Sequence, residues 1–112
     1  MTKYLGDWDC RADLASDFEV RLNDNIDIVV ACYQIGHYSG QAIVIFEKGE
    51  KLYLIEASHC SCYGLEGQWN AELINDDFLR HKLNNGDWLY DDIEHNMKIS
   101  EVIKEYLKGK IT

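Results

Sequence analysis

The sequence predicts an α+β fold, in which an antiparallel β-meander of at least three strands packs with helices on one or both faces. Three apolar runs of strand length, rich in β-branched residues, follow one another between residues 26 and 57. Short segments that contain Gly separate these runs, as turns between paired strands do. Apolar residues at helical spacing dominate the chain after them.

The first 25 residues carry a weak helical pattern. Leu14 and Phe18 are four residues apart, and Asp13 or Asp17 can serve the first turn of a helix. The sequence Asn-Asp-Asn at 23–25 predicts a turn, because Asn and Asp form local side-chain bonds and tolerate left-handed backbone.

The three strands are predicted over Ile26–Tyr33, Gln41–Glu47 and Lys51–Ala57. A loop at 36–40 and a turn at 48–50 connect them, and the second connection is typical of a hairpin. The first two strands are apolar on both faces, whereas a sheet covered on one side alternates apolar and polar residues. We therefore expect the second face to be covered by the terminal helices or by another copy of the chain in a homodimer.

Two helices are predicted in the second half of the chain. The first spans Asn75–Leu83, with Asn75 or Asp76 as its N-terminal cap. Ser100 is predicted to cap the second helix and Gly109 to end it. The buried stripe of this last helix is expected to contain Val102, Ile103, Tyr106 and Leu107.

Length and composition limit the function classes. The 112 residues predict one domain, over residues 1–112, and twenty acids against eleven bases give a formal net charge of −9. Direct nucleic-acid binding needs a concentrated basic patch, so this composition favours basic protein partners instead. Since no apolar run reaches membrane-spanning length and no signal peptide precedes the domain, we expect no membrane association and a cytoplasmic location with reduced cysteines.

The stretch from Ser58 to Trp69 gathers residues that could carry chemistry. His59, Cys60 and Cys62 are zinc-ligand types, but their His-Cys-x-Cys spacing differs from that of ordinary zinc sites, and no second ligand pair is nearby. We expect no cofactor and no catalytic residue. The alternatives are a metal-stabilised module built on these three residues, with zinc as the metal, and a thiol enzyme. In the thiol enzyme, Cys60 or Cys62 would act with His37 or His81, oriented by Glu66 or Asp87. A strained disulfide between the two cysteines is a third option.

Residues 58–69 read Ser-His-Cys-Ser-Cys-Tyr-Gly-Leu-Glu-Gly-Gln-Trp, and Tyr38-Ser39-Gly40 and Lys51-Leu52-Tyr53 precede them. On this motif, Ser-His-Cys-Ser-Cys-Tyr-Gly-Leu-Glu-x-Gln-Trp, the chain between Ile28 and Trp69 resembles a family of small uncharacterised proteins of bacteriophages and bacterial mobile elements. The resemblance implies a phage-like context, in the cytoplasm of a bacterial host cell. Within the motif, we expect Gly64 and Gly67 to permit tight turns and Trp69 to pack back onto the sheet.

The expected function is that of a small acidic accessory protein, not an enzyme, which binds and inhibits a bacterial host protein. Eight acids against Arg80 and Lys82 lie between Glu66 and Glu94, and aromatic residues that suit binding anchors lie among them. Such a surface can mimic nucleic-acid phosphates on a basic partner, as an anti-CRISPR or other counter-defence factor would. The alternative is that the acids are merely exposed and the aromatics are core. The predicted partner-binding residues are Asp76, Asp77, Asp87, Trp88, Asp91, Asp92 and Glu94.

Overall fold

The computed structural model describes residues 3–35, 39–60, 64–85 and 93–110, without the side chains of residues 85, 93–96 and 110. Strands and helices alternate unevenly along this part of the chain. In chain order the elements are β1 (Tyr4–Gly6), α1 (Arg11–Phe18), β2 (Ile26–Ile35), β3 (Ser39–Lys48), β4 (Lys51–Cys60), β5 (Glu72–Ile74), α2 (Asp76–Asn85) and α3 (Ile93–Lys110).

The described strands form one sheet in the order β1-β2-β3-β4-β5, with β1 parallel to β2 and the other neighbours antiparallel. The predicted α+β fold with its antiparallel meander is thus confirmed. The three long strands begin or end up to three residues beyond the predicted limits, because cross-strand pairs such as Gln34 with Gln41 and Ser39 with Cys60 carry polar residues into the ladder. Strands β1 and β5 were not predicted, since three residues are too few to show a period.

A β-bulge at Val29 sets the faces of β2. The pairing passes from Ile28 with Phe46 to Val30 with Ile45, so Val29 is an extra residue without a counterpart in β3. The extra residue reverses the alternation of the strand, and Ile28 and Ala31 therefore lie on the same face. Val29 and Val30 both contribute to the core on the other face.

Each face of the sheet has its own hydrophobic core. On the first face, α2 contributes Leu79 and α3 contributes a buried stripe. That stripe contains Ile99, Val102, Ile103 and Leu107, and Tyr106 packs against its edge. On the second face, the residues that cover the strands are Trp8, Leu14, Phe18 and Leu65. The chain's own elements thus cover both faces, and the homodimer, which is not needed for that purpose, stays a prediction.

Helix α1 is fixed at its N-terminal end. The main-chain N–H of Asp9 donates to Oδ2 of Asp13 at 3.0 Å, which confirms the predicted use of an aspartate in the first turn. The Nη1 atom of Arg11 donates to the carbonyl oxygen of Ile26 at 2.6 Å and ties this helix to the start of β2.

The predicted start of the last helix is wrong. Helix α3 begins at Ile93 rather than after Ser100, and it continues through Gly109 to Lys110. Packing of the apolar stripe holds the helix together, and an interior Ser or a terminal Gly costs at most about 1 kcal/mol against that packing. None of the described helices combines the length and the apolar character needed to cross a bilayer.

Trp69 packs over the second face of the sheet, as predicted. Its ring stacks on Phe46 with centroids 5.6 Å apart and an interplanar angle of 11°, and it meets Phe18 edge-on at 5.1 Å. The turn before it uses Gly67 at a φ of +78°, a conformation that side chains disfavour. The indole is half-buried, so it closes one side of this core without being enclosed by it.

Replacing Trp69 with alanine should therefore lower the free energy of unfolding by about 2–3 kcal/mol, less than the roughly 3–5 kcal/mol expected for a fully buried tryptophan. Urea titration followed by far-UV circular dichroism measures the change. Trp69→Phe keeps an aromatic ring on Phe46 and should lose less than half as much. A denaturation midpoint unaffected by Trp69→Ala would show that the ring contacts contribute nothing.

Candidate functional site

A groove of about 1050 Å³ lies between the edge of the sheet and the start of α2. The turn before β4, the strand β5 and the first half of α2 line it. We call it the acidic groove. Its acidic members are Glu50, Glu72, Asp76 and Asp77.

The chain builds this groove by turning directly from β5 into α2. Of the two caps predicted from the sequence, Asn75 and Asp76, it is Asn75 whose Oδ1 accepts a hydrogen bond from the main-chain N–H of Phe78 at 2.9 Å. The carbonyl oxygen of Asn75 also accepts from the N–H of Leu79 at 3.3 Å. Asp76 and Asp77 therefore occupy the first turn, where the partial positive charge of the helix N-terminus stabilises carboxylates.

The groove has more acids than bases. Lys51 and Arg80 oppose its four acids, which leaves a formal charge of −2 among these residues. The Nη1 atom of Arg80 lies 3.0 Å from Oδ1 of Asp77, and the two side chains are 50% and 89% exposed. An ion pair this exposed contributes less than about 1 kcal/mol, so the arginine can turn away when a stronger cation arrives.

Apolar surface adjoins these charges. Leu73 is 60% exposed on β5, and Phe78 is half-buried on α2. A single exposed leucine is ordinary on a protein surface. Here it lies beside a groove with excess negative charge, and that combination suits a partner with both basic and apolar groups.

The structure places two of the predicted partner-binding residues together, Asp76 and Asp77. Four others, Asp87, Trp88, Asp91 and Asp92, lie outside the described residues. Glu94 belongs to α3, although its side chain is also outside the description.

Sequence analysis missed three residues of the groove. Glu50 is in the turn before β4, and Glu72 and Leu73 are in β5. Only the antiparallel pairing of β5 with β4, in which Leu52 lies opposite Ile74, brings that turn to the start of α2. The one signal in the sequence was the short Glu-Leu-Ile run before the Asn75 cap.

The opposite end of β4 carries a different polar feature, a hydrogen-bonded pair of Tyr33 and His59. The distance along β4 from Lys51 to His59 is roughly 25 Å, at about 3.3 Å per residue. The hydroxyl oxygen of Tyr33 lies 2.5 Å from Nε2 of His59, and the two rings meet edge-on with centroids 5.8 Å apart.

The contacts of His59 define its tautomer. Its Nδ1 lies 2.9 Å from the carbonyl oxygen of Cys60, which can only accept a hydrogen bond. In the neutral ring Nδ1 therefore carries the proton, and Nε2 accepts from the hydroxyl of Tyr33. Both ring nitrogens of His59 are thus engaged.

Several acids influence this pair. Burial raises the pKa of Tyr33 above its ordinary value of 10.0, and the negative charges of Asp17, Asp7 and Glu66 raise it further. The hydroxyl therefore stays protonated and remains a donor at neutral pH.

The pKa of Glu66 shifts the other way. Hydrogen bonds from the main-chain N–H groups of Glu66 itself and of Gly64 hold its pKa below the ordinary value, and the charge of His59 adds to this effect. The carboxylate therefore stays ionised near the Tyr33–His59 pair at neutral pH.

Gly40 gives His59 its space. The two residues are opposite each other on β3 and β4, and a Cβ atom on Gly40 would overlap Nε2 of the imidazole ring. The ring thus lies directly against the main chain of β3, and only a glycine fits beneath it.

Two of the three residues proposed for a metal site, His59 and Cys60, are among the described residues. Among the residues that the structure describes, no group of three or more His, Cys, Asp and Glu side chains could hold a metal ion. His59 is engaged as above, Cys60 is exposed at the end of β4, and Cys62 lies outside the described residues. The zinc alternative stays a prediction without support from this part of the chain.

Comparison of the chain with family models, with curated proteins and with solved structures finds no match. The resemblance of the Ser58–Trp69 motif to phage and mobile-element proteins therefore stays a prediction. The function has to be inferred from the geometry of the two polar features.

Replacing Gly40 with alanine should push the imidazole of His59 aside, break its bond to Tyr33 and lower the free energy of unfolding by about 1–3 kcal/mol. Chemical denaturation gives the value. Removing the ring in the double variant Gly40→Ala/His59→Ala should restore part of the loss, because the added methyl group then has room. If the double variant is less stable by the full sum of the two single changes, the steric account is incorrect.

The raised pKa of Tyr33 predicts a loss of stability in alkali. Above pH 10 the unfolded chain releases this proton before the folded chain does, so stability falls as the pH rises from the ordinary pKa through the folded one. Tyr33→Phe should remove part of this fall above pH 10. Burial also raises the pKa of Tyr4, which keeps part of the slope in the variant.

Urea denaturation at several pH values measures this slope. Losing the hydrogen bond to His59 lowers the stability of Tyr33→Phe at every pH, by about 1 kcal/mol, so only the change with pH is diagnostic. Parallel curves for the natural chain and the variant would contradict the assignment.

Proposed function

We propose that this protein binds a basic surface of another protein through the acidic groove and thereby blocks that surface. One observation carries the proposal. Asp76 and Asp77, held by the Asn75 cap, line a groove at the edge strand on which Leu73 is exposed. Carboxylates fixed on a helix end beside apolar surface are arranged for recognition of cations rather than for contact with water alone.

The charge of the whole chain supports the same conclusion. A formal net charge of −9 attracts basic partners over a Debye length of roughly 8–10 Å at physiological salt and raises the rate of encounter. The groove then supplies short-range contacts, because Phe78 within it and Leu73 on its edge strand offer apolar surface that free counter-ions cannot use.

The partner class we propose is a bacterial protein that handles nucleic acid. Its basic surface normally receives phosphates, and the carboxylates between Glu66 and Glu94 would take their place. The resemblance of the Ser58–Trp69 motif to phage proteins supports a bacterial host as the setting and counter-defence as the role.

The zinc alternative is less well supported, and the thiol-enzyme alternative with His37 or His81 stays a prediction. A zinc site on His59 requires a ring nitrogen that is directed at the metal, and both nitrogens of His59 have other partners. The Tyr33–His59 pair is accounted for by its role in holding β2 and β4 across Gly40.

Reversing two charges of the groove should abolish partner binding. In Glu72→Lys/Asp77→Lys the net charge of the groove changes sign. Exposed substitutions of this kind alter the free energy of unfolding by only about 0.5 kcal/mol each, and a cation in the first helical turn costs up to about 1 kcal/mol more. The matched control is Asp9→Lys/Glu19→Lys, which changes the net charge equally at exposed positions flanking α1, the helix on the other face of the sheet. Reversal of Asp87, Asp91, Asp92 and Glu94 tests the remaining predicted residues.

The natural chain and the three variants, each immobilised, are exposed to bacterial lysate. A protein that the natural chain and the control capture, but the groove variant does not, is purified for affinity measurements over a salt series. Its affinity should fall steeply as salt rises, and duplex DNA should compete for it. Equal capture by the groove variant, or an affinity independent of salt, would contradict the proposal.

A further inference from the structure

We infer that the partner presents an extended segment to the acidic groove, and that this segment pairs with β5 as a sixth strand of the sheet. The inference rests on the proposed function and specifies its binding mode. It also defines the segment chemically: basic and apolar residues alternate along it.

Strand β5 is at the end of the strand order and, among the described strands, pairs only with β4. On an edge strand, alternate residues direct their main-chain N–H and C=O groups away from the sheet, where a further strand can bond to them. Edges are often protected by proline, but this chain contains none. At the other edge, β1 buries Leu5 and contacts α3, so that edge is partly covered.

The two faces of β5 differ in chemistry. Leu73 lies opposite Tyr53 and shares its face, the one covered by α1. Glu72 and Ile74 lie opposite Leu54 and Leu52 on the face covered by α2, where the acidic groove is.

An added strand would continue both faces, because side chains alternate along it. One set of its side chains would lie beside Leu73 and Tyr53, where apolar groups are favoured. The other set would enter the groove towards Glu72, Asp76 and Asp77, where lysine or arginine is favoured. This charge complementarity selects a basic strand over a second copy of this acidic chain.

The size of the groove agrees with this occupant. At about 1050 Å³ it is as large as the bigger pockets of small-molecule sites, which span roughly 300–1,000 Å³. It is also open rather than enclosed, so it suits two or three long side chains held by a common backbone better than one enclosed ligand.

The test uses synthetic peptides of six residues, acetylated and amidated, in which lysine and valine alternate. Two further peptides carry N-methyl groups, on the three lysines in one and on the three valines in the other. All three have the same charge and side chains. An added strand bonds to β5 through the amides of every second residue, so one N-methylated peptide should bind at least tenfold more weakly than the other.

Binding is followed by fluorescence anisotropy and by amide shifts of the isotopically labelled full chain. The expected result is that the unmodified peptide shifts the amides of Glu72, Leu73 and Ile74, that one N-methylated peptide fails, and that Glu72→Lys/Asp77→Lys weakens binding at least tenfold. Asp9→Lys/Glu19→Lys, the matched control, should bind as the natural chain does.

Two results would overturn the inference. If all three peptides bind equally and the groove variant weakens them equally, charge alone drives binding; the proposed function then stands and strand addition is incorrect. If the groove variant binds the unmodified peptide as tightly as the natural chain, no strand is added in this groove. The proposed function is tested separately by the purified partner and its salt dependence, so the two failures are distinguishable.

Discussion

The constraint on which this structure depends is the burial of both faces of the β2–β3 hairpin. Seven of the ten residues in β2 are buried, and β3 has an unbroken buried run from Ala42 to Phe46. Antiparallel strands of this composition cannot leave either face in water, because apolar area costs roughly 25 cal/mol per Å² when exposed. The helices α2 and α3 on one face, and α1 with Trp69 and Leu65 on the other, follow from that requirement.

The central strands are buried on both faces, and the two polar features described above lie at the ends of the sheet. The Tyr33–His59 pair lies at one end of β4, where the two side chains are hydrogen-bonded to each other and the imidazole ring packs against Gly40. The acidic groove lies at the other end, where the last strand turns into α2. The hydrogen-bonding atoms of the Tyr33–His59 pair bond to groups within the protein, whereas the carboxylates of the acidic groove are directed outward. This difference is why we assign binding to the groove and a positioning role to the pair.

The parts that the sequence predicted are those set by local pattern. The alternation of Ala42, Val44 and Phe46 against Ile43 and Ile45 matches the two cores, and the Asn75 cap is where its side chain indicated. The parts that it could not predict are set by contacts between distant segments. Residues 93–99 join α3 because Ile99 is buried, although Ser100 looked like a start. The groove depends on a three-residue strand whose existence is decided by its pairing with β4, and no local pattern of three residues can carry that information.

The bulge at Val29 has a consequence for how relatives of this protein should be recognised. Because one additional residue lets Ile28 and Ala31 share a face, β2 is defined by its count of residues as much as by its composition. Deletion of this one residue would leave a strand that is equally apolar. The side chains on one side of the deletion would, however, move to the opposite face of the sheet. An alignment that opens a gap at this position in an otherwise similar chain therefore marks a misplaced gap or a changed architecture. The site is a natural reference point for aligning sequences too divergent to match elsewhere.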